Sequence, residues 1–141
     1  INGIIVFAVL DITKNILATT SCNYLKGYTT DNKPLAHIPP FNAKISIKYR
    51  FNKSIIDFYT DYNSWKRRKD YDEAGVDNFS EATTEGNPSW YTLNIEYNKI
   101  VDSNISFTCS AINILDHHYK SFGSAISSSG RNFILGVRAN F

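Results

Sequence analysis

Side chains along this chain alternate between apolar and polar over one stretch after another. In residues 41–51 every odd position is apolar and every even position is polar. Successive side chains of an extended strand point to opposite faces, so this pattern predicts a strand with one apolar and one polar face. Similar runs occupy 4–10, 16–25, 56–63, 91–98, 105–111 and 133–141, less regularly in the first two and with Ile134 as an exception in the last. About seven strands are therefore predicted.

The connections between these runs alternate in length. Those at 11–15, 52–53 and 99–103 are short, whereas those at 27–40, 66–89 and 116–130 are long and rich in Gly, Pro, Ser, Asp and Asn. This alternation predicts an all-β, antiparallel up-and-down meander with every long loop at the same end. No helical periodicity interrupts it.

The composition is compatible with a membrane β-barrel. Mean hydropathy is −0.28, and no apolar run reaches the roughly 18 residues of a spanning helix. Barrel strands average to such near-neutral values, and about 9–11 tilted residues cross the bilayer. Aromatic residues also lie near the ends of the apolar faces, where they suit the boundary between lipid and water. They are Phe41, Tyr49, Phe51, Tyr62, Tyr91, Tyr97, Phe133 and Phe141.

Three short motifs lie beside the predicted strands. They are Lys33-Pro34-Leu35 with His37-Ile38-Pro39-Pro40, then Asn113-Ile114-Leu115-Asp116 with Tyr119, then Gly130-Arg131-Asn132-Phe133 with the final Phe141. In this order, over residues 29–141, they resemble the C-terminal part of TonB-dependent outer-membrane receptors. In that family the first motif leads into a barrel strand, the second closes the penultimate strand, and a terminal aromatic residue is the barrel-insertion signal.

The resemblance implies that residues 1–141 are the C-terminal portion of a 22-stranded transmembrane β-barrel in the bacterial outer membrane. The plug domain and the N-terminal barrel strands of that family are absent from this chain, and Ile1 already lies in strand-like sequence, so a longer protein is expected. Such a receptor is an active transporter and not an enzyme. It imports a scarce nutrient, such as an iron–siderophore, haem, cobalamin or a glycan, with energy delivered through TonB.

The resemblance also implies partners. These are outer-membrane lipid, TonB through the missing plug, the barrel-assembly machinery that recognises Phe133 and Phe141, and a small nutrient ligand. Whether a surface lipoprotein also caps the receptor is left open. Nucleic acid is not expected, because the net charge is only +2 and no basic face with stacking aromatics continues along the chain.

Two sets of side chains are candidates for the functional site. Large or basic side chains in and beside the loop 66–89 are the candidate ligand contacts, because long exposed loops carry binding residues. They are Trp65, Arg67, Arg68, Tyr71, Phe79 and Trp90. Charged side chains on the polar faces are predicted to face the barrel lumen, where opposite charges on neighbouring strands can pair. They are Lys44, Lys48, Arg50, Asp57, Asp61, Glu96 and Arg138.

The basic run 66–69 has a functional and a structural interpretation. Its four cations would suit an anionic ligand or lipopolysaccharide phosphates. Asp70, Asp72 and Glu73 follow immediately and neutralise it, which favours a solvated loop base.

Histidines offer a second ambiguous signal. His117 and His118 beside Asp116 have side chains that can ligate a metal or haem iron. Adjacent residues at a strand end point to opposite faces, and His37 stands alone, so surface positions are favoured. No metal and no cofactor are expected.

Other protein classes remain as alternatives. Cys22 and Cys109 are predicted to lie about four strands apart, too far for a disulfide, and no serine has an identifiable base partner. A soluble β-sandwich or small-barrel binding module would need the apolar faces to meet each other. A small outer-membrane enzyme would need an eighth strand and a catalytic site at the rim.

Overall fold

Seven long strands follow one another as antiparallel neighbours in the computed structural model, which describes residues 1–72 and 74–140. The strands are β1 Asn2–Asp11, β2 Ile16–Lys26, β3 Asn42–Phe51, β4 Ser54–Asn63, β5 Lys66–Arg67, β6 Gly86–Asn87, β7 Trp90–Ile100, β8 Ile105–Ile112 and β9 Asn132–Ala139. The main sheet has the order β1, β2, β3, β4, β7, β8, β9, and β5 pairs only with β6. The predicted all-β meander of seven strands is confirmed, and the two-residue pair is an addition to it.

A continuous register keeps the two faces of the sheet in phase. Ala18, Ile47, Phe58, Ile95 and Ala111 lie opposite one another in a row across β2, β3, β4, β7 and β8. Because side chains alternate with a period of two, every apolar set falls on the same face. One face of the sheet is therefore apolar from edge to edge.

The apolar face is the exposed one. Ile47 retains 46% and Leu135 73% of its accessible surface, whereas Ser46 and Asn94 on the opposite face retain 4% and 3%. Within the described residues, Tyr71 is the one hydrophobic side chain that is buried. A domain that folds in water buries hydrophobic side chains and leaves polar ones exposed. The burial pattern of this sheet is the reverse.

Strand β1 differs from the others because both of its faces are apolar. Ile5, Phe7 and Val9 lie on the side that is polar elsewhere, and they are 77%, 70% and 53% exposed. This explains why alternation is irregular in the sequence of this strand.

The connections divide cleanly between the two ends of the sheet. Short turns at 12–15, 52–53 and 101–104 lie at one end, and the loops 27–41, 64–89 and 113–131 lie at the other. Asn52 and Lys53 both have positive φ, 41° and 60°, as in the two-residue turns whose twist matches that of a hairpin. The predicted sidedness of the loops is confirmed.

Two further sequence predictions concern cysteines and helices. Cys22 in β2 and Cys109 in β8 are free thiols on the apolar face, as predicted from their strand separation. No helix in residues 1–72 and 74–140 is long and apolar enough to cross a membrane.

Candidate functional site

Charged side chains pair across the polar face between β3 and β4. Lys44 Nζ lies 3.6 Å from Asp61 Oδ1, and Lys48 Nζ lies 3.6 Å from Asp57 Oδ2, each pair directly opposite in the register. The Ser46 hydroxyl donates to Asp57 Oδ1 at 2.5 Å. The cross-strand pairs therefore form as the charge pattern predicts.

Amide side chains extend this network onto β7 and β8. Asn94 Nδ2 donates to Asp61 Oδ2 at 3.5 Å, and Asn98 Nδ2 donates to Glu96 Oε1 at 2.7 Å. The Thr108 hydroxyl donates to Asn98 Oδ1 at 2.6 Å. Buried polar groups are stable only when they are satisfied in this way. Ion pairs and hydrogen bonds therefore link side chains on the polar face of β3, β4, β7 and β8.

A cavity of about 290 Å³ opens on the polar face at the loop end of the strands. Lys44, Asp61 and Asn94 line it from the sheet, and Tyr119 reaches it from the loop 113–131. Trp90, one of the candidate ligand contacts, stacks on Tyr119 with ring centroids 4.0 Å apart. The cavity combines an ion pair, amides and the edge of an aromatic stack, which suits a small polar solute.

Trp90 and Tyr119 also line a second cavity. That cavity, again about 290 Å³, lies among the loops and is lined by Trp90, Tyr119 and His117. Trp90 Nε1 is buried and has no hydrogen-bond acceptor among the described residues. Buried donors usually have an acceptor, and this indole N–H is an exception among the described residues.

The long loops are held together by a buried ion pair. Lys66 Nζ lies 3.5 Å from Asp77 Oδ2, and the two side chains are 4% and 1% exposed. Lys66 Nζ also donates to the Ile38 carbonyl at 2.5 Å, and the His37 backbone N–H donates to Asp77 Oδ1 at 2.7 Å. The pair therefore ties the loop 27–41 to the loop 64–89.

An aromatic cluster completes the contact among the loops. The Tyr71 ring packs edge-on against Phe79 at 5.0 Å and against Phe122 of the loop 113–131 at 5.9 Å. Lys66 Nζ lies 4.5 Å from the centroid of the Phe122 ring. All three long loops thus meet at one point, which forms a compact cap over one end of the sheet.

Burial shifts the titration of groups in this cap. Burial lowers the pKa of Lys66 below its usual 10.5, although the charge of Asp77 opposes the shift. Burial also raises the pKa of Tyr71 above 10.0, and Asp77 adds to that effect. For Asp72, burial acts to raise the pKa, but backbone N–H donors from residues such as Val76 lower it overall. The charged form of Lys66 is therefore held at a desolvation cost.

The remaining candidate ligand contacts pack in pairs within the loop 64–89. The Arg67 guanidinium lies 4.2 Å from the centroid of the Trp65 ring, and that of Arg68 lies 5.2 Å from the Phe79 ring. Tyr71 is buried in the cap, where its ring packs against Phe79 of its own loop and Phe122 of the loop 113–131. Arg67 thus contacts Trp65, and Phe79 contacts both Arg68 and Tyr71, whereas Trp90 stacks on Tyr119. Their role as ligand contacts stays a prediction.

All of the charged residues predicted to face the lumen lie on the polar face. They are Lys44, Lys48, Arg50, Asp57, Asp61, Glu96 and Arg138. That this face borders a lumen stays a prediction. Of the two residues of the predicted insertion signal, Phe133 is 72% exposed on the apolar face, and Phe141 lies outside the described residues.

Asp77 and Phe122 are structural contacts that sequence reasoning missed. The acidic neighbours of the basic run were expected to neutralise it, but Lys66 pairs with Asp77, further along the loop; Glu73 lies outside the described residues. The only sequence signal for this pairing is a charge of the right sign in the same loop. The pairing depends on how the loop folds back on itself.

The histidines have separate surroundings. The His117 ring lies 6.1 Å from that of Tyr91, and His118 Nε2 lies 3.4 Å from Ser127 Oγ. Over the part of the chain that the structure describes, no three His, Cys, Asp or Glu side chains are arranged to hold a metal ion.

Comparison with known proteins identifies the fold. No protein-family model matches the sequence, and no curated protein matches it. Among solved structures 27 chains match. One of them is the copper transporter OprC, with a TM-score of 0.80 over 94% of this chain and 16% sequence identity. The fold is shared with a transporter. This chain spans 22% of the length of OprC.

The comparison corrects the resemblance to TonB-dependent receptors. That family assignment is wrong: the matching structure is named a copper transporter, its identity is only 16%, and no family model matches. The assignment depended on short motifs, and the structure gives one of them a local explanation. Asn113 and Asp116 have positive φ, 51° and 56°, a conformation for which Asn and Asp are favoured. The motif reports the geometry of a turn.

Proposed function

We propose that this chain is a section of the wall of a larger β-barrel through which a small polar solute crosses a bacterial outer membrane. The observation that carries the proposal is the reversed burial of the sheet: an exposed apolar face on all seven strands and an interlocked polar face. Transmembrane barrels place apolar side chains outward and polar ones inward. A soluble sandwich would bury the face that is exposed here.

The edges of the sheet support a larger barrel. β1 and β9 stand at the two ends of the strand order and do not pair with each other. Unpaired backbone groups in lipid cost several kcal/mol each, so further strands are needed to close the wall. The count of 22 strands, import of a scarce nutrient and coupling to TonB stay predictions.

The cavity on the polar face supports solute passage along this wall. Lys44 and Asp61 are 50% and 37% exposed, so both charges of the pair are accessible from the cavity side. The amide of Asn94 and the aromatic stack lie beside them. A solute that both donates and accepts hydrogen bonds fits these groups, since each charge and each amide finds a complement.

Cysteine labelling of the full-length protein in its membrane tests the wall. Val137 and Arg138 are adjacent exposed residues of β9 on opposite faces, which makes Val137→Cys and Arg138→Cys a matched pair. Cys22 and Cys109, both on the apolar face, are first replaced by Ser. We expect a charged, water-soluble maleimide to label Arg138→Cys and to leave Val137→Cys unlabelled until detergent and denaturant are added.

A second pair of cysteine variants controls for the position of β9 at the edge of the sheet. Ile47→Cys and Lys48→Cys lie in the middle of the sheet on opposite faces and are expected to show the same contrast. Equal labelling of both faces in a protein that needs no detergent would overturn the proposal.

A further inference from the structure

A groove of about 320 Å³ lies at the loop end of the apolar face, between the loop 27–41 and the start of the loop 64–89. Its wall toward the sheet is aromatic. Tyr24 pairs with Ile4 on the apolar face, and the Phe41 ring lies 6.2 Å from that of Tyr62. Aromatic residues at this level of a barrel wall lie at the boundary between lipid and water.

The wall of the groove toward the loops is basic. Arg67 and Lys69 line it, with Lys66, which pairs with Asp77, and one acidic residue, Asp70. Lys26, at the end of β2, adds a further cation from the sheet. Within the described residues, no carboxylate oxygen lies within 4.0 Å of a side-chain nitrogen of Arg67, Arg68 or Lys69. Of these three, Arg67 and Lys69 line the groove, and the Arg67 guanidinium stacks on Trp65.

We propose that this groove binds a membrane phospholipid with a net negative charge. Its phosphate lies between Lys26, Arg67 and Lys69, and its acyl chains run along Tyr24 and Phe41 onto the apolar face. Guanidinium and ammonium groups form strong, charge-assisted hydrogen bonds to phosphate oxygens. The proposal rests on the proposed function, because it requires the apolar face to lie in lipid.

Continuity with the apolar face favours a lipid over a free phosphate. Tyr24 at the groove and Ile45 further down the sheet are 41% and 51% exposed on the same face. A soluble anion would contact only the basic wall, where salt screens exposed charges. A lipid also covers the apolar surface, and burial of that surface adds to binding.

Native mass spectrometry of the full-length protein in detergent tests the site. The probes are phosphatidylglycerol and phosphatidylcholine with identical acyl chains. The variant Arg67→Gln with Lys69→Gln removes two charges at the groove. The control, Lys14→Gln with Lys53→Gln, removes two charges from turns at the opposite end of the sheet. We expect roughly tenfold weaker retention of phosphatidylglycerol in the groove variant and no change in the control.

Three outcomes would overturn the proposal. The first is equal retention of phosphatidylglycerol by the groove variant and the control. The second is retention of phosphatidylcholine by the unmodified protein to the same extent as phosphatidylglycerol. The third is release of phosphatidylglycerol by inorganic phosphate at the same concentration as the lipid, which would indicate a site for a free anion. Should the double variant fail to fold, Lys69→Gln alone tests the site, with a smaller loss expected. Labelling of Val137→Cys and Arg138→Cys in the groove variant tests the barrel proposal separately. If the two faces still label differently, loss of lipid binding counts against the lipid site alone.

Discussion

Lys66 Nζ and Asp77 Oδ2 lie 3.5 Å apart with both side chains almost completely buried. The contacts of Lys66 with the Ile38 carbonyl and of Asp77 with the His37 N–H make this pair the link between two loops. Lys120 and Glu81, 3.6 Å apart but 31% and 44% exposed, form a second ion pair in the same cap. The two ion pairs differ chiefly in burial. Comparing variants of the two pairs therefore separates the effect of burial on cap stability from the effect of charge.

Loss of one partner of the buried pair is expected to loosen the cap. Asp77→Asn leaves the Lys66 ammonium buried without its anion, which costs about 3–5 kcal/mol. Glu81→Gln is expected to cost less than about 1 kcal/mol, because its pair is exposed. Hydrogen exchange of residues 27–41 and 64–89 measures the difference. Equal protection in the two variants would show that the buried pair does not hold the loops.

The pair also predicts a pH dependence. Since burial lowers the pKa of Lys66 below 10.5, the unfolded loop holds this proton at pH values where the folded loop has released it. The stability of the cap is therefore expected to rise with pH between the lowered pKa and 10.5. Exchange rates corrected for intrinsic pH effects, at pH of about 7 and 9.5, measure it. The rise is expected to vanish in Lys66→Met.

A charge on the apolar face is expected to destabilise the protein in lipid. Ala18 and Thr19 are neighbours in β2 on opposite faces, and Ala18 lies opposite Ile47 in the middle of β3. Ala18→Arg is expected to cost about 2–4 kcal/mol, as for arginine at the midplane of a barrel wall, whereas Thr19→Arg is expected to cost far less. Urea unfolding in liposomes gives both values. A larger loss of unfolding free energy for Thr19→Arg than for Ala18→Arg would mean that the polar face, and not the apolar face, lies against lipid.

Asn113 is expected to hold the loop 113–131 in place. It is 1% exposed, its backbone N–H donates to Asn94 Oδ1 at 2.8 Å, and its side chain bonds to both the N–H and the carbonyl of His117. Asn113→Ala removes the side-chain bonds and strains a positive φ, with an expected loss of roughly 2–4 kcal/mol.

Asn113→Gly separates the two contributions. Glycine adopts the positive φ of 51° without strain, so this variant is expected to be roughly 1 kcal/mol more stable than Asn113→Ala. Thermal unfolding and exchange of the loop measure both. Equal losses would mean that the hydrogen bonds alone matter.

The strands were predictable from sequence because their cause is local. Whether a side chain such as that of Ile47 or Lys48 lies on one face or the other depends only on whether its position in the strand is odd or even. The neighbouring strands need not be known. The charge pairs of β3 and β4 follow from the same parity once the two-residue turn at 52–53 fixes the register. The polar face, as a row of groups, could thus be predicted.

The cap could not be predicted in the same way. Lys66 meets Asp77 because its own loop folds back on itself, and it meets Phe122 because the loop 113–131 converges on the same point. No periodicity in the sequence records either contact. The cavity beside Trp90 likewise depends on Tyr119 from another loop. The family assignment failed for a related reason, since short motifs at turns such as that at Asn113 report backbone geometry that many proteins share.

The outward apolar face has a thermodynamic consequence. Unfolding a protein in water exposes apolar surface and raises the heat capacity by about 12–15 cal/mol/K per residue, which curves its stability strongly with temperature. In this sheet the apolar side chains already face outward, and Tyr71 is the one buried hydrophobic residue of the described chain. If its strands come apart within lipid, little apolar surface meets water. The heat capacity change is then small, and stability varies only gently between cold and hot conditions.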